Sequence, residues 1–312
     1  MKKSLFLGIL SSLFFAFTFV LNKQMSNSGG SWSWAASLRY IFMLPILFTL
    51  LFIQNKKYKE VLRDILNKPI KWLLWSNIGF GVFYAPLCYA STLGESWLIA
   101  GTWQITIVAG ALMSPLFYKE IQVKGKTLKI RQKIPKKSLT FSSLILLGIF
   151  FMQIDNAHSI RVSKALLGVF LVILAAFSYP LGNRKMMEIC ENRFSTIQRV
   201  FGMTLCSMPL WTLLSTVNLF RNNFPNSSQI YQSLIVAIFS GVIATILFFK
   251  ATDLVKSDTH KLAIIESTQA GEVLFSILGG VLIFGDKNPS GTGYFGIILI
   301  IIGMMLNSFH KE

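Results

Sequence analysis

Two glutamates inside an apolar stretch are the first residues of this sequence that invite chemistry. Glu266 and Glu272 stand six apart in LAIIESTQAGEVLFSILGGVLIF, with Gln269 midway. At helical spacing Gln269 shares a face with either one, while the two carboxyls point roughly 120° apart. They are therefore not a paired-carboxylate site. An acid in an apolar helix is costly to ionise and faces a cavity or a partner. Glu272, the deepest acid, suits reversible protonation coupled to cation export. The structural alternative pairs Glu272 or Glu266 with Arg39, Arg199 or Lys250. Trp103, Gln104, Tyr84 and Tyr89 fall on two successive apolar runs. Aromatic walls with few polar anchors suit flat or cationic ligands, although helix or lipid packing explains each ring alone equally well. Arg39 lies inside another run and either braces helices or contacts a substrate.

Other chemistry is missing. Cys88, Cys190 and Cys206 form no metal or redox spacing, and His158, His260 and His310 are scattered. HExxH, GxSxG and a Walker loop are all absent. The expectation is no enzyme, no metal and no cofactor.

These residues need elements to hold them. The chain has 312 residues, 53% hydrophobic and only 14% charged, where a soluble domain carries about 25% charged. Its mean hydropathy is +0.57. About ten apolar spans are legible: 4–22, 32–53, 72–91, 97–118, 138–154, 165–183, 196–218, 230–249, 262–284 and 291–309. Each is long enough for a hydrocarbon core of about 30 Å, and continuous runs mean helices rather than a barrel. Pro45, Pro86, Pro115, Pro180 and Pro209 inside spans mark kinks. MKKSLFLGILSSLFFAFTFVL is expected to be retained as the first helix. It lacks a small-x-small cleavage site and its second half recurs deep in the chain.

The net charge of +17 would fit nucleic acid, but its placement fits a membrane. With the N-terminus inside, 24 of the 30 Lys and Arg fall on inner segments and 5 on outer ones, and Arg39 lies within a span. That split predicts both termini in the cytoplasm of a bacterial-type plasma membrane. It also removes the need for a nucleic-acid partner. Trp32, Trp34 and Trp97 mark outer span ends, and Trp72 and Trp75 an inner one. KKYKEVLRDIL reads as a short helix on the inner surface. The basic stretch within 119–137 reads as a hairpin or loop touching anionic lipid.

The chain also repeats itself. AFTFVL (16–21) matches AFSYPL (176–181) without a gap, and one inserted Gly182 then brings NKQM onto NRKM. Arg39 meets Arg199, Gly81 meets Gly241, YAST (89–92) meets KATD (250–253), and TWQ (102–104) meets STQ (267–269). FYKE meets IFGD, and LILLG meets LIIIG. The fold class expected is all-α integral membrane, ten transmembrane helices in two inverted five-helix repeats, 1–155 and 156–312. Such repeats enclose a midplane cavity opened alternately to each side.

With these residues in view, the sequence resembles the drug/metabolite transporter superfamily in its EamA-like layout. The resemblance rests on the Asn-Lys step ending the first helix, the Arg of SLRYIFMLP, the A…ST step closing the third helix, and the acids of FYKE and IFGD. Within the superfamily it looks most like the multidrug-resistance efflux branch. The resemblance implies a secondary carrier of small organic molecules, drug or cation or metabolite, coupled to protons or exchange. An amino-acid or nucleoside permease is the alternative, and a non-transporting scaffold or sensor a remote one. Expected partners are the substrate and membrane lipid, in a monomer or homodimer. The family's four-helix pumps use a Glu in the first helix. This first helix has no acid, so that residue does not carry over.

Overall fold

The structure, a computed structural model, describes residues 1–312 except 55–56, 124–125, 135, 160–161, 192, 256–257 and 310–312. The helices are α1 Lys2–Asn27, α2 Trp32–Ile53, α3 Tyr58–Asn67, α4 Pro69–Ala90, α5 Ser96–Leu112, α6 Lys136–Ser159, α7 Val162–Cys190, α8 Thr196–Phe220, α9 Ser227–Asp253, α10 Thr259–Ser267, α11 Gly271–Phe284 and α12 Gly291–Phe309. Among the described residues, seven helical stretches are long and apolar enough to cross a bilayer, counting Ile264–Phe284 across α10 and α11 as one. Ser96–Leu112, Leu139–Ile154 and Gly291–Leu306 are shorter apolar helices. The protein is an all-α, multi-spanning membrane protein. Large apolar side chains such as Phe6, Phe52, Leu166, Phe170 and Leu282 are exposed along it. In water such a surface would aggregate; in a bilayer it is the lipid contact.

One boundary departs from expectation. The span read as 97–118 stops at Leu112, and Ser114–Leu116 forms a single 3₁₀ turn. Pro115 has no N–H to continue the helix, so it ends the span rather than kinking it. The chain then forms an antiparallel hairpin, β1 Tyr118–Val123 with β2 Lys126–Arg131, in register from Tyr118↔Arg131 to Val123↔Lys126. The side chains of 119–129 lie outside the described residues, and so does the expected lipid contact of this stretch.

The helices pack crosswise between the two ends of the sequence. α1 packs on α9 and α11, while α7 packs on α4 and α5; α2 packs on α8, and α6 on α12. Within α4 and α9 the backbone widens into π turns at Asn77–Val82 and Ala237–Ala244, whose first residues are 160 apart. Side chains take the local carbonyls at both places. Asn77 Nδ2 donates to Leu73 O at 2.8 Å, and Thr245 Oγ1 donates to Ser240 O at 3.1 Å. Such insertions into the ladder are what bend a helix.

The short amphipathic helix α3 is pinned by one carboxylate. Asp64 accepts from Trp72 Nε1 at 3.0 Å and from Arg193 Nη1 at 2.7 Å. Burial alone would raise its carboxyl, but the hydrogen bonds from Arg193 and Trp72 and the Arg193 charge hold it below the usual carboxylate range. A lowered folded value stabilises above the unfolded one and is lost as pH falls through the folded one. Asp64→Asn therefore costs about 2 kcal/mol at pH 7. In detergent melts, the gap to the parent protein narrows below about pH 4; a gap independent of pH would show that the charge plays no part.

Candidate functional site

Two helices are interrupted, one at TWQ (102–104) and one at STQ (267–269). In α5 the break is at Gln104. Its Nε2 donates to Ala100 O at 2.9 Å, the carbonyl its own N–H would have used, and that N–H turns to Gly101 O at 3.0 Å. Thr102 Oγ1 similarly donates to Leu98 O at 2.8 Å. Between α10 and α11 the break is one 3₁₀ turn, Thr268–Ala270. Here Ser267 Oγ and Thr268 Oγ1 donate to Ile264 O at 2.8 Å and Ile265 O at 2.7 Å. Side-chain competition for helix carbonyls explains both breaks, and it is written in TWQ and STQ. The two breaks touch, because Gln104 Nε2 also reaches Gln269 O at 3.3 Å.

Beside this junction lies a small cavity lined by Phe15, Thr18, Phe19, Phe83, Leu87, Trp103, Tyr179, Gln269 and Glu272. It is narrow, with room for about one water, whereas drug-sized ligands need roughly 300 Å³ or more. The protein must therefore open to admit one. Tyr179 centres the aromatic wall, with ring centroids 4.6 Å from Phe83, 5.8 Å from Trp103 and 6.4 Å from Phe15. Phe248 and Phe249 back it at 6.1 and 6.0 Å.

Glu272 sits in the first turn of α11 and is 1% exposed. The helix N-terminus there favours negative charge. Its Oε2, the Tyr179 hydroxyl and Gln104 Oε1 have no hydrogen-bond partner. Among the described residues no cation lies within ion-pair distance of Glu272. Buried polar atoms left in this way are costly, and they are the atoms a bound molecule or water satisfies.

The other candidates divide. Gln269 and Trp103 line the cavity with Glu272, and Gln104 borders it at the break. Tyr84 is fully buried one layer away, its hydroxyl 3.2 Å from Asn22 Nδ2, and Arg39 lies 4.1 Å over its ring. Arg39 Nη1 donates at 3.3 Å to Thr18 Oγ1, which is itself 2.5 Å from Ser240 Oγ. Two candidates stand apart. Tyr89 packs against Trp32 at a tilt, with ring centroids 5.4 Å apart. Glu266 is bonded to Arg184 Nη2 at 2.6 Å, while Arg184 Nη1 donates to Gly110 O at 2.9 Å. Neither Arg39, Arg199 nor Lys250 takes that role. The 3₁₀ turn rotates Gln269 to the side of Glu272 and away from Glu266.

Thr18, Phe19 and Tyr179 were not singled out as site residues, nor were Phe15 and Phe83. The signal was present, since AFTF and AFSY are the strongest repeated stretch and both supply the cavity wall. Among the described residues no group of three or more His, Cys, Asp or Glu is placed to hold a metal.

Comparison with known proteins now bears on this arrangement. The family model EmrE, "Putative multidrug resistance efflux transporter", matches residues 2–312. The YjlA protein of Bacillus subtilis (strain 168) is 48% identical over 310 residues, covering 99% of this chain and 95% of that one. A 42.1 kDa protein of Shouchella clausii, from the 3′ region of an intracellular alkaline protease, is 46% identical over 270 residues, covering 86% and 70%. A crystal structure 11% identical in sequence shares the fold, with a TM-score of 0.63 over 98% of this chain and 96% of that one.

Proposed function

The chain belongs to the EmrE family of multidrug resistance efflux transporters, and from that premise we propose that it is a secondary carrier exporting a small organic molecule by alternating access. It is a bacterial integral-membrane protein with a transporter's family and no catalytic or metal-binding motif among its described residues. The observation that carries the finer reading is Glu272, an unpaired carboxyl in an aromatic cage where two broken helices meet. Interrupted helices at the bilayer midplane are where carriers bind substrate and coupling ion. Glu272 receives the positive group of the substrate on one side and a proton on the other, which exchanges the two across the membrane. The matched π turns, the matched breaks and the crosswise packing of α1 and α7 support two inverted five-helix halves, 1–155 and 156–312, with both termini inside.

Ion pairs on repeat-matched bases supply the closing contacts. Lys23 Nζ lies 3.6 Å from Glu95, and Arg184 Nη2 lies 2.6 Å from Glu266. Lys23 and Arg184 correspond in NKQM and NRKM, so in inverted halves one pair closes each side.

Counterflow in proteoliposomes tests the carrier itself. Labelled organic cations, amino acids and nucleosides are trapped with an excess of unlabelled compound outside. At least one class is expected to move saturably. No movement across the whole panel would remove the carrier reading.

A further inference from the structure

Asp286, the acid of IFGD, stands just past the end of α11, the helix with Glu272 in its first turn. Gly285 takes the left-handed conformation, φ 74°, and turns the chain back, so that Asp286 N–H donates to Gly280 O at 3.0 Å. The Asp286 carboxylate then accepts from the backbone N–H of Ser96 at 3.0 Å and from the Ser96 hydroxyl. Ser96 opens α5, which packs on α11. Glycine leaves room for this contact, since a Cβ at position 280 would collide with both Ser96 Oγ and Asp286 Oδ2.

Glu272, Ser276 and Gly280 follow one another at helical spacing and share one face of α11, about 12 Å from end to end. Ser276 is fully buried and its hydroxyl has no hydrogen-bond partner, while its carbonyl lies 3.4 Å from Ser96 Oγ. Satisfying the free N–H at the start of α5 accounts for the bonds from Ser96 to Asp286. It does not account for a buried hydroxyl left unpaired one turn from the unpaired Oε2 of Glu272. Oxygens left in this way are satisfied by water, and two of them a turn apart hold one between them. Asp286 is 8% exposed and Glu272 1%, so a proton arriving from solvent at this end of α11 meets Asp286 first.

We propose that Asp286, Ser96 and Ser276 pass protons between solvent and Glu272 along this face of α11, by a route separate from the substrate's. This rests on the proton-coupled reading of Glu272. Asp286 takes a proton from solvent and hands it to Ser96 Oγ, which releases its own proton to a water held against Ser276. The Ser276 hydroxyl accepts from that water and gives up its own proton to Glu272 Oε2. Each hydroxyl and the water gain one proton and lose one, so one leaves solvent and one arrives at Glu272. Chains of acids and hydroxyls serve as proton relays inside membranes. With both termini inside, the Asp286 end of α11 faces outward, the side from which a proton gradient drives export. Few charges face this route. Beside Asp286 are Lys287 and Glu95, the latter with Lys23 at 3.6 Å. α5 has no charged residue, and α1 contributes Lys2, Lys3 and Lys23. Across the cavity from Glu272 is the Tyr179 hydroxyl, reached also by the charges of Arg39 and of Arg199, which holds Asp253 at 2.9 Å.

The test is rapid acidification of the purified full chain in detergent, followed by time-resolved infrared absorption of carboxylic acid carbonyls. The Glu272 band is the one that Glu272→Gln removes. Asp286→Asn keeps an acceptor for the Ser96 N–H but does not exchange a proton. It is expected to slow the rise of the Glu272 band about 100-fold, the lower end for a positioned proton-transfer group. Ser276→Ala slows it about tenfold, because water enters the space of the lost oxygen. The two changes together slow it no further than about 100-fold, since both act on one route. Asp286→Glu restores most of the parent rate. The final amplitude at each pH stays that of the parent, a pattern that loss of structure does not produce. Parent rates in both Asp286→Asn and Ser276→Ala would overturn the route and leave coupling at Glu272 standing. So would an amplitude that falls together with the melting temperature, which makes Asp286 a structural tie. If Asp286→Asn does not fold, Ser276→Ala decides by the same two readings. If the Glu272 band rises at no pH in the parent protein, the coupling and the route fall together, and the counterflow panel still decides the carrier.

Discussion

Glu272→Gln abolishes uptake driven by a pH gradient while leaving a folded protein. Gln is nearly isosteric, and Oε2 has no hydrogen-bond partner to lose, so the melting temperature in detergent stays close to that of the parent. The loss is functional. Glu272 is the only acid among the cavity residues, and a hydrogen bond to a charged group contributes about 1.5–3 kcal/mol. Removing it weakens binding of the positive group by about 10- to 100-fold, since each 1.4 kcal/mol is tenfold. An amide also does not exchange a proton, so gradient-driven movement is lost altogether. Counterflow, which needs no net coupling, survives at higher substrate concentration. The measurement is initial rate against internal pH for both proteins. A Glu272→Gln protein with an unchanged response to the gradient takes Glu272 out of the coupling mechanism.

Gly182→Val is expected to be the most damaging single change to the fold. A Cβ at Gly182 would collide with the backbone Cα and N of Gly79 and lie 2.9 Å from Trp75 O. These are main-chain atoms of α4, and they do not swing aside as a side chain does. Overpacking of this kind costs about 1–3 kcal/mol or more, and here it also separates α4 from α7, the helices that carry Phe83 and Tyr179. The expected result is a large fall in folded yield on gel filtration and loss of a cooperative melt. Gly168→Ala is the control, since its nearest neighbour would be Leu93 Cβ at 3.7 Å. It leaves the melt unchanged or raises it, because Ala is favoured over Gly within a helix by about 1 kcal/mol. A Gly182→Val protein that melts like Gly168→Ala would show that the helices do not need this close approach.

Gly182 is also the one residue inserted between AFSYPL and NRKM when they are set against AFTFVLNKQM, so its special place was legible before its reason. Much of the rest follows the same division. The spans were readable because lipid demands long apolar runs with every backbone group satisfied internally. Most expected spans lie within helices that extend a few residues further. The short inner helix appeared as α3 because its apolar residues keep helical spacing beside charges. The fourth span was read six residues too long because hydropathy does not register a proline's missing N–H.

The acids show where local reading ends. Rotating 100° per residue from Glu266 to Glu272 assumes an unbroken helix. The 3₁₀ turn at Thr268–Ala270 changes that phase and sends one carboxyl to Arg184 and the other into the cavity. The back-bonding residues of TWQ and STQ were in the sequence, but their effect depends on which carbonyls they reach. Partner choice was further out of range, since Arg184 lies 82 residues from Glu266 and Arg199 lies 54 from Asp253.

By itself the sequence determined a multi-spanning helical membrane protein, the positions of its apolar runs, and the repeated residues on which its centre is built. Those properties come from hydropathy and self-similarity, which accumulate along the chain. Only the tertiary structure decided which acid pairs with Arg184, which acid lines the cavity and which aromatic rings share it. These depend on contacts between helices far apart in sequence, and spacing along one helix contains no term for them.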